Sequence, residues 1–122
     1  MNQDLRVRTK EFALRIILMF TKLPNTEVAR VLGRQVLRSG TSIGANYREA
    51  AYRARSDSEF VSKIGDCLKE LEETGDWCDL LVESGTVPEG RMAPLQGETN
   101  ELLAIFTTVS KNVKERNKRE QE

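Results

Sequence analysis

The chain has 122 residues, 39% of them apolar and 31% charged, which is the composition of one soluble globular domain. Its 19 basic and 19 acidic residues give a formal net charge of zero, so no general attraction to polyanions follows. Histidine is absent, which removes the usual general base at neutral pH, the usual zinc ligand and any Ser-His or Cys-His nucleophile pair. The composition therefore argues against an enzyme, and we expect no cofactor, metal or small-molecule substrate.

The two cysteines indicate the cellular compartment. Cys67 and Cys78 lie eleven residues apart, which on one helix is a rise of about 16 Å, too far for a mutual disulfide. They are expected to be reduced core thiols of a cytoplasmic protein. No uncharged run of 18 residues occurs, and residues 4–10 are charged rather than patterned like a secretion signal. We expect neither a membrane span nor secretion.

The predicted elements are helices throughout, because apolar residues recur every three or four positions and strand-like alternation is missing. The first helix is expected over about residues 3–23, ending at Pro24, and Asn25 or Thr26 is expected to cap the second helix. Gly40 and Gly44 could kink the second helix, so its continuity is left open.

The third predicted helix begins at a capping box, in which the Ser56 hydroxyl meets the backbone of Glu59 and the Glu59 carboxylate reaches back. It is expected to end near Glu83, before a turn that contains glycine and proline. The fourth helix is expected over about residues 89–116. Four helices with short connections predict an all-α, antiparallel up-down-up-down four-helix bundle over residues 1–116. The charged tail 117–122 is expected to fray.

Apolar residues on the outer faces of the helices indicate a subunit contact. The first helix has a core face, yet Val7, Leu14 and Leu18 fall together on its opposite side. On the third helix, Trp77 lies off the core stripe among acidic residues, with Leu80 nearby. Scattered surface leucines and a tryptophan lying over the bundle edge are the alternatives. The sequence predicts a subunit interface formed by Val7, Leu14, Leu18, Trp77 and Leu80.

Charge is divided unevenly along the chain, with a net charge of about +7 over residues 1–55 and about −8 over residues 56–100. If the second helix is continuous, five arginines share about a third of its circumference. This predicted arginine ladder is a solvated face, a nucleic-acid surface or a surface that meets the acidic third helix of a neighbouring copy. It consists of Arg30, Arg34, Arg38, Arg48 and Arg55.

Four polar residues lie towards the apolar side of the second helix or at its border. Ser39, Ser42, Asn46 and Glu49 are expected to form a buried hydrogen-bond network, joined by Arg38 or Arg53, because buried polar groups need partners. The alternative is a small-molecule or catalytic pocket, but neither a phosphate-binding loop nor an activated nucleophile accompanies it.

Several motifs resemble a known bacterial family. They are Arg-Ser-Gly-Thr-Ser-Ile-Gly-Ala-Asn from Arg38, Arg-Ser from Arg55, Glu-Phe from Glu59 and Leu-Lys-Glu-Leu-Glu-Glu from Leu68. The chain is similar over almost its whole length to the four-helix-bundle proteins encoded in intervening sequences of 23S ribosomal RNA genes. That family includes the accessory protein of diversity-generating retroelements.

The resemblance implies a homopentameric, non-enzymatic ring, with a nucleic-acid-binding role beside a reverse transcriptase in the retroelement branch. A ring of this kind needs a head-to-tail contact between two different patches. The first hypothesis is therefore a homo-oligomeric scaffold, with the five copies that the resemblance implies. The second is a nucleic-acid-binding accessory factor for a reverse transcriptase or an RNA-processing step.

Overall fold

The computed structural model describes residues 3–121, and its side chains are described from Leu5 onwards. Within this range it contains four α-helices and no strand. α1 packs on α2, α2 on α3 and α3 on α4, and a narrower seam joins α4 to α1. This arrangement confirms the predicted antiparallel bundle. The helices are α1 (Gln3–Thr21), α2 (Glu27–Arg53), α3 (Asp57–Glu83) and α4 (Glu89–Gln121).

The predicted helix starts are confirmed by their caps. The Thr26 side chain accepts a 3.1 Å hydrogen bond from the backbone N–H of Ala29. The Ser56 hydroxyl accepts one of the same length from the Glu59 N–H. The Glu59 carboxylate in turn accepts a 3.2 Å bond from the backbone N–H of Arg55, so both partners of the capping box satisfy free donors at the start of α3.

The helix ends differ from prediction in two places. α1 stops at Thr21 rather than near residue 23, and α4 continues to Gln121 rather than ending near residue 116. Fraying of residues 117–122 stays a prediction; Met1, Asn2 and Glu122 lie outside the described residues. α3 ends as predicted at Glu83, and Gly85 follows with a left-handed φ of 77°, which glycine adopts without a Cβ clash.

The core lies along the axis of the bundle, and all four helices contribute large side chains to it. The Tyr47 ring packs edge-on against Phe106, with 5.7 Å between the ring centroids. Truncating such a residue to alanine costs about 2–5 kcal/mol. The largest fully buried apolar residues are Phe12, Ile16, Val36, Ile43, Ile64, Leu71, Leu81, Met92, Leu102 and Phe106.

α2 is one continuous helix, because its glycines serve close packing rather than a kink. A Cβ at Gly40 would lie 2.7 Å from Ile16 Cγ1, and one at Gly44 would lie 3.2 Å from the Thr9 hydroxyl oxygen. α1 therefore approaches the backbone of α2 more closely than any larger residue at position 40 allows without a shift. None of the helices, over the described residues, is long and apolar enough to cross a membrane.

Candidate functional site

An apolar stripe runs along the outer face of α1, as the sequence predicts. Val7, Leu14 and Leu18 are 55–56% exposed, while Phe12 and Ile16 on the other side of the helix are buried. The three large apolar side chains, at spacings of seven and four residues, share one face of α1, and Leu14 and Leu18 are one turn apart on it. Their exposure is confirmed, and their role in a subunit contact stays a prediction.

Trp77 is less exposed than the subunit-anchor prediction requires, and it agrees better with the alternative of a tryptophan lying over the bundle edge. It is half-buried and packs against the core. It lies one turn beyond Thr74, whose hydroxyl contacts Ser39 of α2. Its Nε1–H is buried and has no hydrogen-bond partner within the described chain. Leu80, one turn further on, is 45% exposed as predicted.

Besides the predicted Leu80, two valines at the start of α2 are exposed and were not predicted. The hydrogen bonds of Ser39 with Thr74 and the ion pairs of Arg38 fix the antiparallel register of α2 against α3. This register brings Leu80 level with the start of α2, where two valines are about half exposed. We call Val28, Val31 and Leu80 the α2–α3 patch.

A small apolar cavity of about 200 Å³ lies in the opposite seam, between the end of α1 and the start of α4. Its apolar lining comes from Leu18, Met19, Leu23, Pro24, Val87, Pro94 and Leu95, and three cations stand around it: Arg15, Lys22 and Arg91. All three cations are exposed. None of the three forms an ion pair with a described carboxylate. We call this site the α1–α4 cavity.

Two members of the predicted arginine ladder are already paired within the chain. Arg38 donates to Glu73 at 2.7 Å and to Glu70 at 3.3 Å, and these carboxylates raise the pKa of its guanidinium, the hydrogen bond to Glu73 most. Arg30 pairs with Glu27 at 2.6 Å. The acidic third helix therefore meets Arg38 of the ladder within the same chain, whereas one of the three predicted alternatives placed this contact between neighbouring copies.

The remaining ladder residues separate. Arg34 and Arg48 lie on α2, exposed and without an ion pair to any described residue. Arg55 is not part of the ladder, because α2 ends at Arg53 and Arg55 lies in the turn that follows. Only its backbone N–H has a hydrogen-bond partner in the described chain, the Glu59 carboxylate.

A basic groove with an exposed aromatic ring lies between α1 and α2. Arg6, Lys10 and Arg48 line the groove, and Tyr52 and Arg53 continue it. Tyr52 is 61% exposed, and the Arg6 guanidinium lies 5.8 Å from the centroid of its ring, within cation–π range. The sequence analysis missed Arg6, Lys10 and Tyr52. The i, i+4 spacing of Arg6 and Lys10, on a helix antiparallel to α2, is the signal that could have found them.

The predicted polar network is mostly wrong. Only Ser39 is buried with a partner on another helix, the Thr74 hydroxyl at 2.8 Å. Ser42 bonds to carbonyls of its own helix. Asn46 is half-buried, and Glu49 is exposed and pairs with Lys63 at 3.5 Å. The exposed position of Glu49 follows from the angle of α2, which turns that border residue outwards. Neither Arg38 nor Arg53 joins Ser39.

The described residues provide little reactive chemistry. Burial raises the pKa of both Cys67 and Cys78 to about 12, so these thiols are protonated and poorly nucleophilic at neutral pH. No group of three His, Cys, Asp or Glu side chains in the described part of the chain is placed to hold a metal ion. What the surface offers is contact: two apolar patches, one cavity and one basic groove.

Comparisons with known proteins agree with the motifs. The family model for the 23S rRNA-intervening sequence protein matches residues 2–108. A crystal structure of a protein of unknown function from the S23 ribosomal protein family of Bacteroides thetaiotaomicron is 34% identical, covering 87% of this chain and 97% of that one, with a TM-score of 0.81. No curated protein matches the chain. The chain therefore belongs to the 23S rRNA-intervening sequence protein family.

Proposed function

We propose that the protein is a non-enzymatic homo-oligomeric scaffold of the cytoplasm, with five copies as the family resemblance implies. The observation that carries this proposal is the apolar stripe of Val7, Leu14 and Leu18, each more than half exposed on the outer face of α1. A single bundle gains nothing from apolar residues there, whereas a neighbouring copy would cover them. Covering the exposed half of each side chain contributes about 1 kcal/mol.

Two further observations support an assembly role over catalysis. The chain lacks histidine, and burial holds its two thiols protonated, so neither a histidine base nor a thiolate nucleophile is available. The α2–α3 patch and the α1 stripe also lie on different sides of the bundle, as a head-to-tail contact requires.

Solution mass tests the proposal. Light scattering coupled to size exclusion is expected to give about five times 13.8 kDa for the unmodified chain. Leu14→Asp is expected to lower the mass while helicity by circular dichroism stays unchanged, since Leu14 is exposed in one chain. Ala104→Asp is the matched control, because it places the same carboxylate on an exposed position of α4. A mass of 13.8 kDa for the unmodified chain would refute the proposal.

Nucleic-acid binding is the second candidate, and the basic groove is the observation that favours it. The Arg6 guanidinium lies over the exposed ring of Tyr52, Arg48 and Arg53 line the same part of the groove together with Glu49, and Lys10 lies further along it. Cations that follow a strand, together with an aromatic ring on which a base stacks, are the parts of a single-strand binding surface. This role would suit an accessory factor for a reverse transcriptase or an RNA-processing step.

The salt dependence of binding tests this candidate. If these four cations contact four phosphates, affinity for a labelled single-stranded RNA should fall on the order of 50-fold between 50 and 200 mM salt. Arg48→Gln is expected to reduce that slope, and Lys111→Gln, on α4 and outside the groove, is the control that should not. A slope that Arg48→Gln leaves unchanged would exclude the groove as the binding surface.

A further inference from the structure

We infer that Leu80 of one copy is seated in the α1–α4 cavity of the next copy. This inference rests on the proposed oligomeric scaffold and identifies the two surfaces that join its subunits. The cavity and the Leu80 side chain are the two partners, and both belong to this chain.

The size of the cavity indicates what it receives. At about 200 Å³, it is smaller than the pockets of about 300–1,000 Å³ that hold small-molecule ligands and cofactors. Its lining is dominated by Leu18, Leu23 and Leu95, with no carboxylate among the lining residues. A cavity of this size and polarity fits one apolar side chain from a protein surface.

The charges around the cavity select which side chain. Arg15, Lys22 and Arg91 surround it without a described ion-pair partner, so an apolar residue accompanied by carboxylates is the complement. Leu80 has Asp76 four residues before it and Glu83 three residues after it, on the same helical face.

Those two carboxylates are free to meet the cations. Asp76 and Glu83 are exposed and make no ion pair or hydrogen bond within the described chain. At the same spacings Leu80 has no Lys or Arg neighbour, whereas Tyr52 has Arg48 and Arg55 beside it. Among the exposed large apolar residues of the described chain, Leu80 is therefore the one that has charged neighbours at these spacings and has only acidic ones.

The two surfaces lie on different sides of the bundle and at the same end, so one chain can offer both at once to different neighbours. The helices pack in the order α1, α2, α3, α4, so the α1–α4 seam lies opposite the α2–α3 seam that carries Leu80. The cavity includes Leu23 and Val87 from the connections at one end of the bundle, and Leu80 is one turn from the end of α3 at that same end.

Two complementary surfaces at the same height join copies side by side with little translation along the bundle axis. Such a contact is heterologous, and it leaves all bundles pointing the same way. The remaining residues of the α2–α3 patch, Val28 and Val31, extend the contact beside Leu80.

Disulfide cross-linking tests the seating directly. In Leu18→Cys/Leu80→Cys, the new thiols lie in opposite seams of one chain, so a bond between them forms only between copies whose Cα atoms come within about 7 Å. Mild oxidation is expected to give a ladder of covalent oligomers on a non-reducing gel. Each single variant and the unmodified chain, whose own cysteines are buried, are the controls and should give no ladder.

The outcomes separate this inference from the proposed function. No ladder from a double variant that light scattering shows to be oligomeric would overturn the seating of Leu80 and leave the scaffold standing. An unmodified chain that is monomeric at all concentrations would overturn both. A ladder from the double variant alone supports both.

Charge reversal gives an independent check. Arg91→Glu and Asp76→Lys are each expected to raise the dissociation constant of the oligomer on the order of tenfold, because each sets like charges against each other. Combining them in one chain restores an attractive pair in every contact, so the dissociation constant should return towards that of the unmodified chain. Lys111→Glu, on α4 away from the cavity, is the control. The charge match would be overturned if the single reversals raised the dissociation constant no more than Lys111→Glu does. It would also be overturned if the double variant dissociated as readily as the single ones.

Discussion

Replacing Gly40 with alanine tests the close approach of α1 to α2. A Cβ at this position would lie 2.7 Å from Ile16 Cγ1 and 3.0 Å from Ile16 Cγ2. Both atoms are bonded to the Cβ of Ile16, which is fully buried, so rotating the far end of that side chain does not relieve both contacts. The two helices must move apart by several tenths of an ångström.

The magnitude follows from two opposing terms. Alanine in place of glycine inside a helix stabilises it by about 1 kcal/mol, while overpacking a buried contact costs about 1–3 kcal/mol. Gly40→Ala is therefore expected to lower the free energy of unfolding by about 0–2 kcal/mol. Gly65→Ala is the matched control, because Gly65 lies in α3, is exposed and has no atom within 4 Å of its added Cβ.

The control carries the helix-propensity gain without the overpacking cost, so it is expected to be stabilised by about 1 kcal/mol. The difference between the two variants isolates the overpacking term at about 1–3 kcal/mol. Urea unfolding followed by circular dichroism at one protein concentration measures both. If Gly40→Ala were as stable as Gly65→Ala, the packing of α1 on α2 described here would be wrong at its tightest point.

Three smaller predictions follow from individual contacts. Burial raises the pKa of Cys67 and Cys78 to about 12 in the folded chain, against about 8.5 when unfolded. These thiols should therefore leave the free energy of unfolding unchanged below about pH 8.5 and lower it as pH rises towards about 12. Urea midpoints measured over this pH range should fall less in Cys78→Ala than in the unmodified chain. Ser39→Ala should cost about 1 kcal/mol in urea unfolding, because Thr74 keeps its bond to a backbone carbonyl. Arg8→Gln should cost about 1 kcal/mol through the lost ion pairs between α1 and α4, and 0.5 M salt should reduce its difference from the unmodified chain in thermal unfolding.

Local signals predicted the fold well because they act within a few residues. The cap at Thr26 and the capping box at Ser56 each satisfy backbone donors three residues away, so a short stretch of sequence decides where α2 and α3 begin. The end of α4 was harder to place. Residues 117–121 contain no helix-breaking residue, and a helix can continue through residues that bury nothing. α4 therefore extends to Gln121.

The errors concern side chains whose environment is set by a second helix. Trp77 was placed among acids from its position on α3 alone, but it is half-buried and packs against the core. Glu49 was placed near the core from α2 alone, but it lies far enough round the helix to reach solvent and Lys63. A helical wheel gives the direction in which a side chain leaves its helix. Whether that side chain is buried depends on the neighbouring helix.

The missed groove illustrates the same limit at the level of sites. Arg6 and Tyr52 are 46 residues apart in the sequence. Taken alone, each is an ordinary surface residue of its own helix. Their contact follows from the antiparallel pairing of α1 and α2 together with the glycines that let the helices approach. Once the bundle topology is accepted, that pairing brings the start of α1 beside the end of α2.

The zero net charge of the chain conceals a separation of charge that matters for assembly. Internal ion pairs consume part of both signs, as Arg38 does with Glu70 and Glu73. Part of the unpaired charge is divided between two sides of the bundle: cations such as Arg91 stand around the α1–α4 cavity, and carboxylates such as Asp76 lie beside Leu80 on α3. A neutral molecule with opposite charges on opposite sides attracts its own copies in a fixed orientation, whereas a uniformly charged one repels them. Neutrality therefore weakens the case for general polyanion binding and strengthens the case for head-to-tail self-association.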